Sequence, residues 1–185
     1  YVIGSPSYSI PAASPVKAKM GAGKAEIISG KDGSVITSVV GAAAKDAMGF
    51  AVAGNADIDD DGFDDVVVGA PNAGATHTGT VTVLYGRADG ASRSPATING
   101  TAPKSQFGAA VALGDVDGNN HADVIVGAPK ATSNVGIKQA GSVIVYDGST
   151  MEVGKRFYGA AANAHAGTAV ATGDADGDGL ADIII

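Results

Sequence analysis

The chain has 185 residues, with 28 glycines, no cysteine and no tryptophan, and 45% of its residues are hydrophobic. This apolar fraction is enough for a folded core, so global disorder is excluded. The absence of cysteine excludes disulfides, thiolate metal sites and a cysteine nucleophile. The net charge of −7 disfavours nucleic acid as a partner, because binding phosphates requires a basic face. No apolar run approaches the ~20 residues of a membrane helix, so we expect no membrane span in this segment.

Short apolar runs follow one another along the chain and are separated by glycine, proline and aspartate. The predicted strands are, in chain order, 25–29, 34–40, 51–53, 66–68, 80–85, 109–113, 124–126, 142–146, 168–171 and 183–185, with glycine-containing turns at KDG, RADG and DGST. Runs of this length without a helical period predict an all-β protein with antiparallel sheets.

The pattern of runs is periodic. The glycines that open three similar segments, Gly49, Gly108 and Gly167, are 59 residues apart in both steps. Four strands in roughly 60 residues indicate β-propeller blades of four antiparallel strands. A β-sandwich is the alternative, but its topology does not produce one motif at a nearly constant spacing. We therefore expect a single partial β-propeller over 1–185 that belongs to a larger propeller. Its approximate repeats are 1–48, 49–107, 108–166 and 167–185, of which the first and last are incomplete.

Acidic residues are concentrated in three windows, 57–65, 115–123 and 174–182, which hold 13 of the 19 acidic residues of the chain. The first and third windows have the pattern D-x-D-x-D-G-x-x-D. Carboxylates at positions 1, 3 and 5 of a tight loop converge on one centre, and Ca²⁺ takes six to eight such oxygen ligands. Position 6 has to turn sharply, which favours glycine. The pattern predicts three Ca²⁺ sites.

Two other interpretations of these windows are weaker. An EF-hand needs a glutamate at position 12 and flanking helices, whereas position 12 here is Val68, Val126 or Ile185, inside a predicted strand. A solvated Asp-rich turn would leave several like charges close together without a counter-ion, which costs free energy. Because three such loops recur in register, this interpretation is the weaker one. The middle window has Asn119 and Asn120 at positions 5 and 6. Because it has one carboxylate fewer, we expect it to be the weakest site.

The combined motif resembles the FG-GAP repeat of integrin α-subunit propellers and of many microbial surface proteins. Phe107-Gly108 is the FG pair, whereas Gly69-Ala70-Pro71 and Gly127-Ala128-Pro129 are the GAP tripeptides. In that family the Ca²⁺ loop joins two strands of a hairpin at one rim of the propeller. The resemblance implies the following metal ligands, in which position 7 contributes its backbone carbonyl: Asp57, Asp59, Asp61, Phe63, Asp65, Asp115, Asp117, Asn119, His121, Asp123, Asp174, Asp176, Asp178, Leu180 and Asp182.

The sequence predicts a binding or structural protein rather than an enzyme. No G-x-S-x-G, H-E-x-x-H or complete phosphate-binding loop is present, and the three histidines are scattered. We expect an extracellular or cell-surface propeller that serves adhesion, ligand binding or surface and filament assembly. Its partner would be a protein or glycan ligand, or further copies or repeats of itself. The alternative is an accessory propeller of a larger secreted hydrolase or lectin. Asn99-Gly-Thr101 is a sequon for N-glycosylation.

The two ends of the chain are in phase. Each position-9 aspartate precedes the proline of GAP by six residues, as with Asp65 and Pro71, and Ile183–Ile185 repeats the strand that begins with Tyr1. Three repeats are too few to close a propeller. We therefore expect that the natural chain continues with more repeats or that copies assemble head to tail.

Overall fold

The computed structural model describes residues 1–13, 17–87 and 94–185, which form an all-β structure with thirteen strands. The strands are β1 (Val2–Ser5), β2 (Lys24–Ile28), β3 (Val35–Val40), β4 (Ala51–Ala56), β5 (Asp65–Ala70), β6 (Thr80–Leu84), β7 (Ala96–Asn99), β8 (Ala110–Gly114), β9 (Asp123–Ala128), β10 (Ser142–Tyr146), β11 (Val153–Tyr158), β12 (Ala171–Gly173) and β13 (Asp182–Ile184). The described part contains no helix, as predicted. The turn predicted at RADG (87–90) lies largely outside the described residues.

The strands form four antiparallel sheets, each of which follows the order of the chain. Two sheets have four strands, β4-β5-β6-β7 and β8-β9-β10-β11, while β1-β2-β3 and β12-β13 are shorter. The first strands of neighbouring sheets contact each other, β4 with β8 and β8 with β12. This arrangement is that of β-propeller blades, so the predicted fold class is confirmed.

The hydrophobic cores lie between neighbouring sheets. The largest joins the second and third sheets and includes Ile58, Val67 and Val124, all fully buried. Phe107 enters this core just before β8, is 1% exposed, and meets Tyr146 edge-on with 6.0 Å between ring centroids. Burying an aromatic side chain of this size contributes strongly to stability. The phenylalanine of the FG pair therefore acts as a wedge between two blades.

The glycines of the GAP and FG motifs contact each other across the blade junction. A Cβ added to Gly69, in β5, would overlap the carbonyl oxygen of Gly108 in the next blade, and Gly4 and Gly127 would overlap Gly49 and Gly167 in the same way. Within the two four-stranded blades the FG glycine also donates a hydrogen bond to the carbonyl of the first GAP glycine, as Gly108 does to the oxygen of Gly127 at 3.0 Å. The two motifs recur together because each backbone can approach the other only without side chains.

A β-bulge accounts for the irregular spacing of the acidic windows. The pairing of β4 with β5 shifts between Gly54 and Ala56, and the extra residue Asn55 has φ = 71°. The third sheet has no such residue, since Gly114 pairs directly with Asp123. One inserted residue in a bulge twists the strand without disturbing the residues that follow. The opening glycines are thus 59 residues apart while Asp57 and Asp115 are separated by 58.

One predicted strand was placed wrongly. The sequence predicted 168–171, but β12 covers Ala171–Gly173. Its partners are Ile184, Ile183 and Asp182, and in this register Val170 would face Ile185, whereas Ala169 and Thr168 have no partner in β13. The apolar pattern predicts where a strand can form. A strand is assigned only where its backbone is hydrogen-bonded to a partner strand, so β12 begins later than the pattern predicts.

Among the described residues, no helix has the length and apolarity needed to cross a lipid bilayer.

Candidate metal sites

The three acidic windows occupy equivalent connections of the blades. They join β4 to β5, β8 to β9 and β12 to β13, and therefore lie on the same rim of the structure. Each brings three aspartates together, with carboxylate oxygens that all lie within 4.8 Å of one another. The three clusters are Asp57, Asp59 and Asp61; Asp115, Asp117 and Asp123; and Asp174, Asp176 and Asp182.

The aspartate at position 1 organises the turn of each loop. In the middle loop, Asp115 Oδ1 accepts a hydrogen bond from the backbone N–H of Gly118 at 2.7 Å and Oδ2 accepts one from Asn120 at 2.9 Å. In the third loop, Asp174 accepts the corresponding bonds from Gly177 and Gly179. A carboxylate satisfied by several N–H groups is fixed in orientation before any ion arrives.

The aspartate at position 9 closes the loop onto a neighbouring turn. Asp65 is fully buried, and its Oδ2 accepts from the N–H of Ile58 at 2.8 Å while its Oδ1 accepts from Gly86 at 2.7 Å. Asp123 does the same with Val116 at 3.0 Å and Gly148 at 3.1 Å. Both oxygens thus serve the protein backbone. This double hydrogen bond, which we call the aspartate bracket, was not predicted from the sequence. Its only signal there is a glycine shortly after Tyr85 and Tyr146.

Burial changes the acidity of these carboxyl groups. The removal of Asp65 from water raises its pKa to about 6, an effect that the hydrogen bonds from Gly86 and Ile58 oppose. Burial also raises the pKa of Asp123, and the hydrogen bonds from Val116 and Gly148 oppose that rise. A buried carboxylate without a cation is disfavoured in this way.

The loops turn through two residues with positive φ, at positions 4 and 6. Position 6, predicted as the sharp turn, has φ = 86° at Gly62, 89° at Gly179 and 67° at Asn120. Asparagine tolerates this conformation better than most residues. Position 4 was not predicted to need it, and there Asp60 adopts φ = 57° where the other loops have glycine.

Neighbouring loops are bonded to one another along the rim. The N–H of Ala122 in the middle loop donates to the carbonyl of Asp57 at 2.9 Å, and Ala181 donates to Asp115 at 2.8 Å. The His121 Nδ1 atom lies 3.1 Å from the carbonyl oxygen of Ile58. A histidine whose carbonyl is the predicted ligand would be expected to turn its ring to solvent. The ring of His121 instead folds toward the preceding loop, because that carbonyl offers a partner for a ring N–H.

The donor set suits a hard divalent cation. All three clusters consist of carboxylate oxygens, without the sulfur or nitrogen ligands that softer metals prefer. The structure brings together positions 1, 3 and 5 in the first loop, and positions 1, 3 and 9 in the other two. Asp65 and Asp178 lie outside these clusters, and the amide of Asn119 is bonded to the N–H of His121 at 2.8 Å. The carbonyls of Phe63, His121 and Leu180 stay predicted ligands.

The sheets and the rim of acidic hairpins together define a repeat protein of the propeller class. A family model for the FG-GAP-like repeat matches residues 57–126, and one for the FG-GAP repeat matches 107–146. The chain is therefore an FG-GAP repeat protein, and it is integrin α-like, as its relatives indicate.

The chain is similar to integrin α-subunits and to a phospholipase D. Integrin alpha pat-2 of Caenorhabditis briggsae is 38% identical over 109 residues, covering 56% of this chain and 9% of the relative. Integrin alpha-8 of Gallus gallus is 33% identical over 134 residues, 68% of this chain and 12% of the relative. Phosphatidylinositol-glycan-specific phospholipase D of Bos taurus is 35% identical over 113 residues, 55% of this chain and 13% of the relative. The chain thus spans a small part of each of these proteins.

Proposed function

We propose that this chain is a calcium-binding, non-catalytic propeller segment that works outside the cell, where it binds ligands or further copies of itself in adhesion or surface assembly. The observation that carries the proposal is the set of three carboxylate clusters in equivalent hairpins on one rim. Without a cation, such clusters hold like charges within a few Å at an energetic cost. Three Ca²⁺ ions would change the formal charge from −7 to −1. The extracellular setting and the adhesive role are supported by the integrin relatives.

Calcium is expected to stabilise the fold by mass action. Extracellular modules bind Ca²⁺ at about 10⁻⁴–10⁻³ M, so ~2 mM calcium at a site with a Kd of ~10⁻⁴ M would contribute roughly 2 kcal/mol. Thermal unfolding should therefore occur several degrees higher in calcium than in EGTA. An unchanged melting temperature would contradict the proposal.

Two substitutions in one window separate coordination from charge. Asp59→Asn removes a predicted ligand, whereas Asp64→Asn removes an equal charge from a residue outside the predicted ligand set. Calorimetric calcium titration should show an affinity loss of about tenfold for the first and little change for the second. Equal losses in Asp59→Asn and Asp64→Asn would favour a purely electrostatic effect.

Asn119→Asp adds a fourth carboxylate to the middle loop and should tighten that site in the same calorimetric titration.

A second candidate function is an accessory propeller of a larger enzyme. The relatives named phosphatidylinositol-glycan-specific phospholipase D favour it, since they combine similar repeats with an enzyme. Under either function we expect the 185-residue chain to lack turnover in esterase, phosphatase and glycosidase assays. Turnover that a point substitution abolishes would overturn the non-catalytic assignment.

A further inference from the structure

A polar cleft of about 460 Å³ lies between the second and third sheets. Its walls come from the connections β5–β6, β7–β8 and β9–β10, which lie on the rim opposite the acidic loops because successive strands are antiparallel. The lining residues are Asn72, His77, Pro103, Lys104, Gln106, Lys130 and Gln139. A cleft of this volume is large enough for a small ligand. The lining holds two lysines and no acidic residue.

Among the described residues, acidic and basic side chains are unevenly distributed between the two rims. The connections that share the rim of the cleft, which we call the basic rim, are 6–13, 17–23, 41–50, 71–79, 100–109, 129–141 and 159–170 in the described part of the chain. They contain Lys17, Lys19, Lys45, Lys104, Lys130 and Lys138. Their one acidic residue is Asp46, which is 6% exposed and accepts a hydrogen bond from the N–H of Ala43 at 2.7 Å. The basic rim therefore presents positive charge on a chain with a net charge of −7, which favours an anionic ligand there.

The walls of the cleft are held together by backbone hydrogen bonds across the blade junction. The N–H of Lys130 donates to the carbonyl of Ser105 at 3.0 Å, and Lys104 donates to Thr76 at 3.2 Å. Ser105 is 2% exposed, and its hydroxyl donates to the carbonyl of Thr78 at 3.1 Å. These bonds fix the three connections relative to one another, so a ligand would not have to order them on binding.

The polar groups of the cleft are available to a ligand. Within 1–13, 17–87 and 94–185, neither Lys104 nor Lys130 forms an ion pair with a carboxylate. His77 Nδ1 lies 2.8 Å from the carbonyl of Asn72. A carbonyl only accepts, so Nδ1 is the donor and Nε2 of the neutral ring is an acceptor. The cleft thus offers two ammonium groups together with amides and an imidazole nitrogen.

The pair of lysines is specific to this junction among the repeats. The positions of Lys104 and Lys130 in their units correspond to Lys45 and Asn72 at the preceding junction. The backbone is the same at both, since Lys45 has φ = 69° and Lys104 has φ = 57°. The positive φ is therefore a feature of the repeated backbone at both junctions. The second lysine, and with it the second positive charge, occurs only at the junction that forms this cleft.

We propose that this cleft binds an anionic saccharide unit, bearing a carboxylate or a sulfate. The two ammonium groups would neutralise the acidic substituent, and point charges on flexible stems suit such groups without requiring fixed bidentate geometry. The amides of Gln106 and Gln139 and the Nε2 atom of His77 would bond the hydroxyls. A saccharide presents several hydroxyls on one compact ring, which suits amides and an imidazole nitrogen within one cleft better than the spaced groups of an acidic peptide. The proposal rests on the ligand-binding role given above and names its ligand class.

The test titrates the full chain at a fixed free calcium concentration, by calorimetry, with four probes. They are a galacturonic acid trisaccharide, a sulfated galactose trisaccharide, the neutral galactose trisaccharide and hexaglutamate. At least one acidic saccharide should bind about tenfold or more tightly than the neutral one. The double variant Lys104→Met and Lys130→Met should lose about tenfold or more of that affinity. Lys45→Met, the equivalent residue of the preceding junction, should change affinity by less than about twofold.

Several outcomes would overturn the inference: equal binding of acidic and neutral saccharides, an equal loss in Lys45→Met, no saccharide binding, or lysine-dependent binding of hexaglutamate alone. Binding of only the sulfated or only the carboxylated saccharide supports it and identifies the acidic group. The calcium-dependent melting temperature is recorded for the same samples. A normal calcium shift without saccharide binding refutes this inference alone, whereas a missing calcium shift in the unmodified chain refutes the calcium proposal.

Discussion

Asp65 links the protonation of one carboxyl group to the stability of its blade. Its two oxygens accept hydrogen bonds from Ile58 and Gly86, so the side chain joins the acidic loop to the turn that follows β6. In a buried position such a carboxyl group holds its proton more tightly than an exposed one does when no cation is near. Asp65 therefore accepts two backbone hydrogen bonds in the calcium-free protein and is also a predicted calcium ligand.

The raised pKa predicts how the stability of the calcium-free protein depends on pH. The pKa of Asp65 is about 6 in the fold and about 3.9 in the unfolded chain. Because the folded state holds the proton more tightly, this contribution is fully present below pH ~4 and is lost as the pH rises through ~6. The difference of about two units corresponds to at most about 3 kcal/mol.

Urea unfolding of calcium-free protein between pH 4.5 and 7.5 measures this contribution. The control is Asp65→Asn, which cannot ionise. Asparagine offers one acceptor in place of two and should be less stable throughout, so the comparison concerns only the slope with pH. The stability advantage of the unmodified protein over the variant should shrink as the pH rises. A constant or growing advantage would contradict the prediction.

Asp60 is the residue at which the first loop departs from the other two. It has φ = 57° and is exposed, whereas the equivalent Gly118 and Gly177 have φ = 81° and 82°. A residue with a Cβ is strained at positive φ, although aspartate is less strained than most. Replacement by glycine removes this strain, but glycine also raises the conformational entropy of the unfolded chain, which offsets part of the gain in stability. Asp60→Gly should raise the free energy of unfolding by about 0.5–1 kcal/mol without calcium.

Asp60→Asn separates backbone from charge, since it removes the carboxylate and keeps the side chain. Denaturant unfolding in EGTA should show a larger gain for glycine than for asparagine. If both variants gain equally, the effect is electrostatic and the strain argument fails.

At the scale of the elements, the junction between blades depends on glycine-to-backbone contact. Gly69 in β5 approaches Gly108 so closely that an added Cβ would lie 3.0 Å from its carbonyl carbon and would overlap its oxygen. Backbone atoms cannot move aside as a flexible side chain can. We predict that Gly69→Ala destabilises the protein by about 3 kcal/mol or more, as overpacking does.

Gly173→Ala is the matched control for this prediction. Gly173 also lies in a strand, β12, and no heavy atom lies within 4 Å of an added Cβ. Its replacement should change the unfolding free energy by less than about 0.5 kcal/mol or stabilise slightly. Comparable losses in the two variants, measured by thermal unfolding in calcium, would show that the contact at the junction is not the cause.

Considered as a whole, the molecule has an uneven charge distribution that affects its response to salt. The acidic rim carries the three carboxylate clusters, and the opposite rim carries lysines. Without calcium, the carboxylates repel one another, and added salt screens this repulsion over a Debye length that falls from about 10 Å at 0.1 M to about 3 Å at 1 M.

We predict that sodium chloride, raised from about 0.05 M to 0.5 M, increases the melting temperature more in EGTA than in saturating calcium. Bound cations would already have neutralised the repulsion that salt screens. Melts in four buffers suffice: low and high salt, each with EGTA and with calcium. Equal increments in both series would mean that the clusters do not repel in the free protein. Potassium chloride should behave like sodium chloride, because the effect is one of ionic strength.

The sequence predicted those features that repeat and missed contacts between residues that are far apart along the chain. The period of Gly49, Gly108 and Gly167 was enough to infer blades, because a motif at constant spacing implies a repeated structural unit. The contact of His121 with Ile58 joins residues 63 positions apart, and no local pattern encodes such a distance. The hydrogen bond from Gly148 to Asp123 lies within one blade but joins residues 25 positions apart, and D-x-D-x-D-G-x-x-D accounts for the aspartate without it.

The strand order of each complete blade also sets how the molecule should respond to mechanical force. The chain enters the third blade at β8, which is almost wholly buried between neighbours, and leaves it from β11, an exposed strand that pairs on one side with β10. Tension applied beyond β11 would peel that strand away, breaking its hydrogen bonds one after another at low force. Tension applied before β8 would have to draw a buried strand past both neighbours and disturb two blades at once. Resistance to pulling is therefore directional, and each blade yields first at its outer edge.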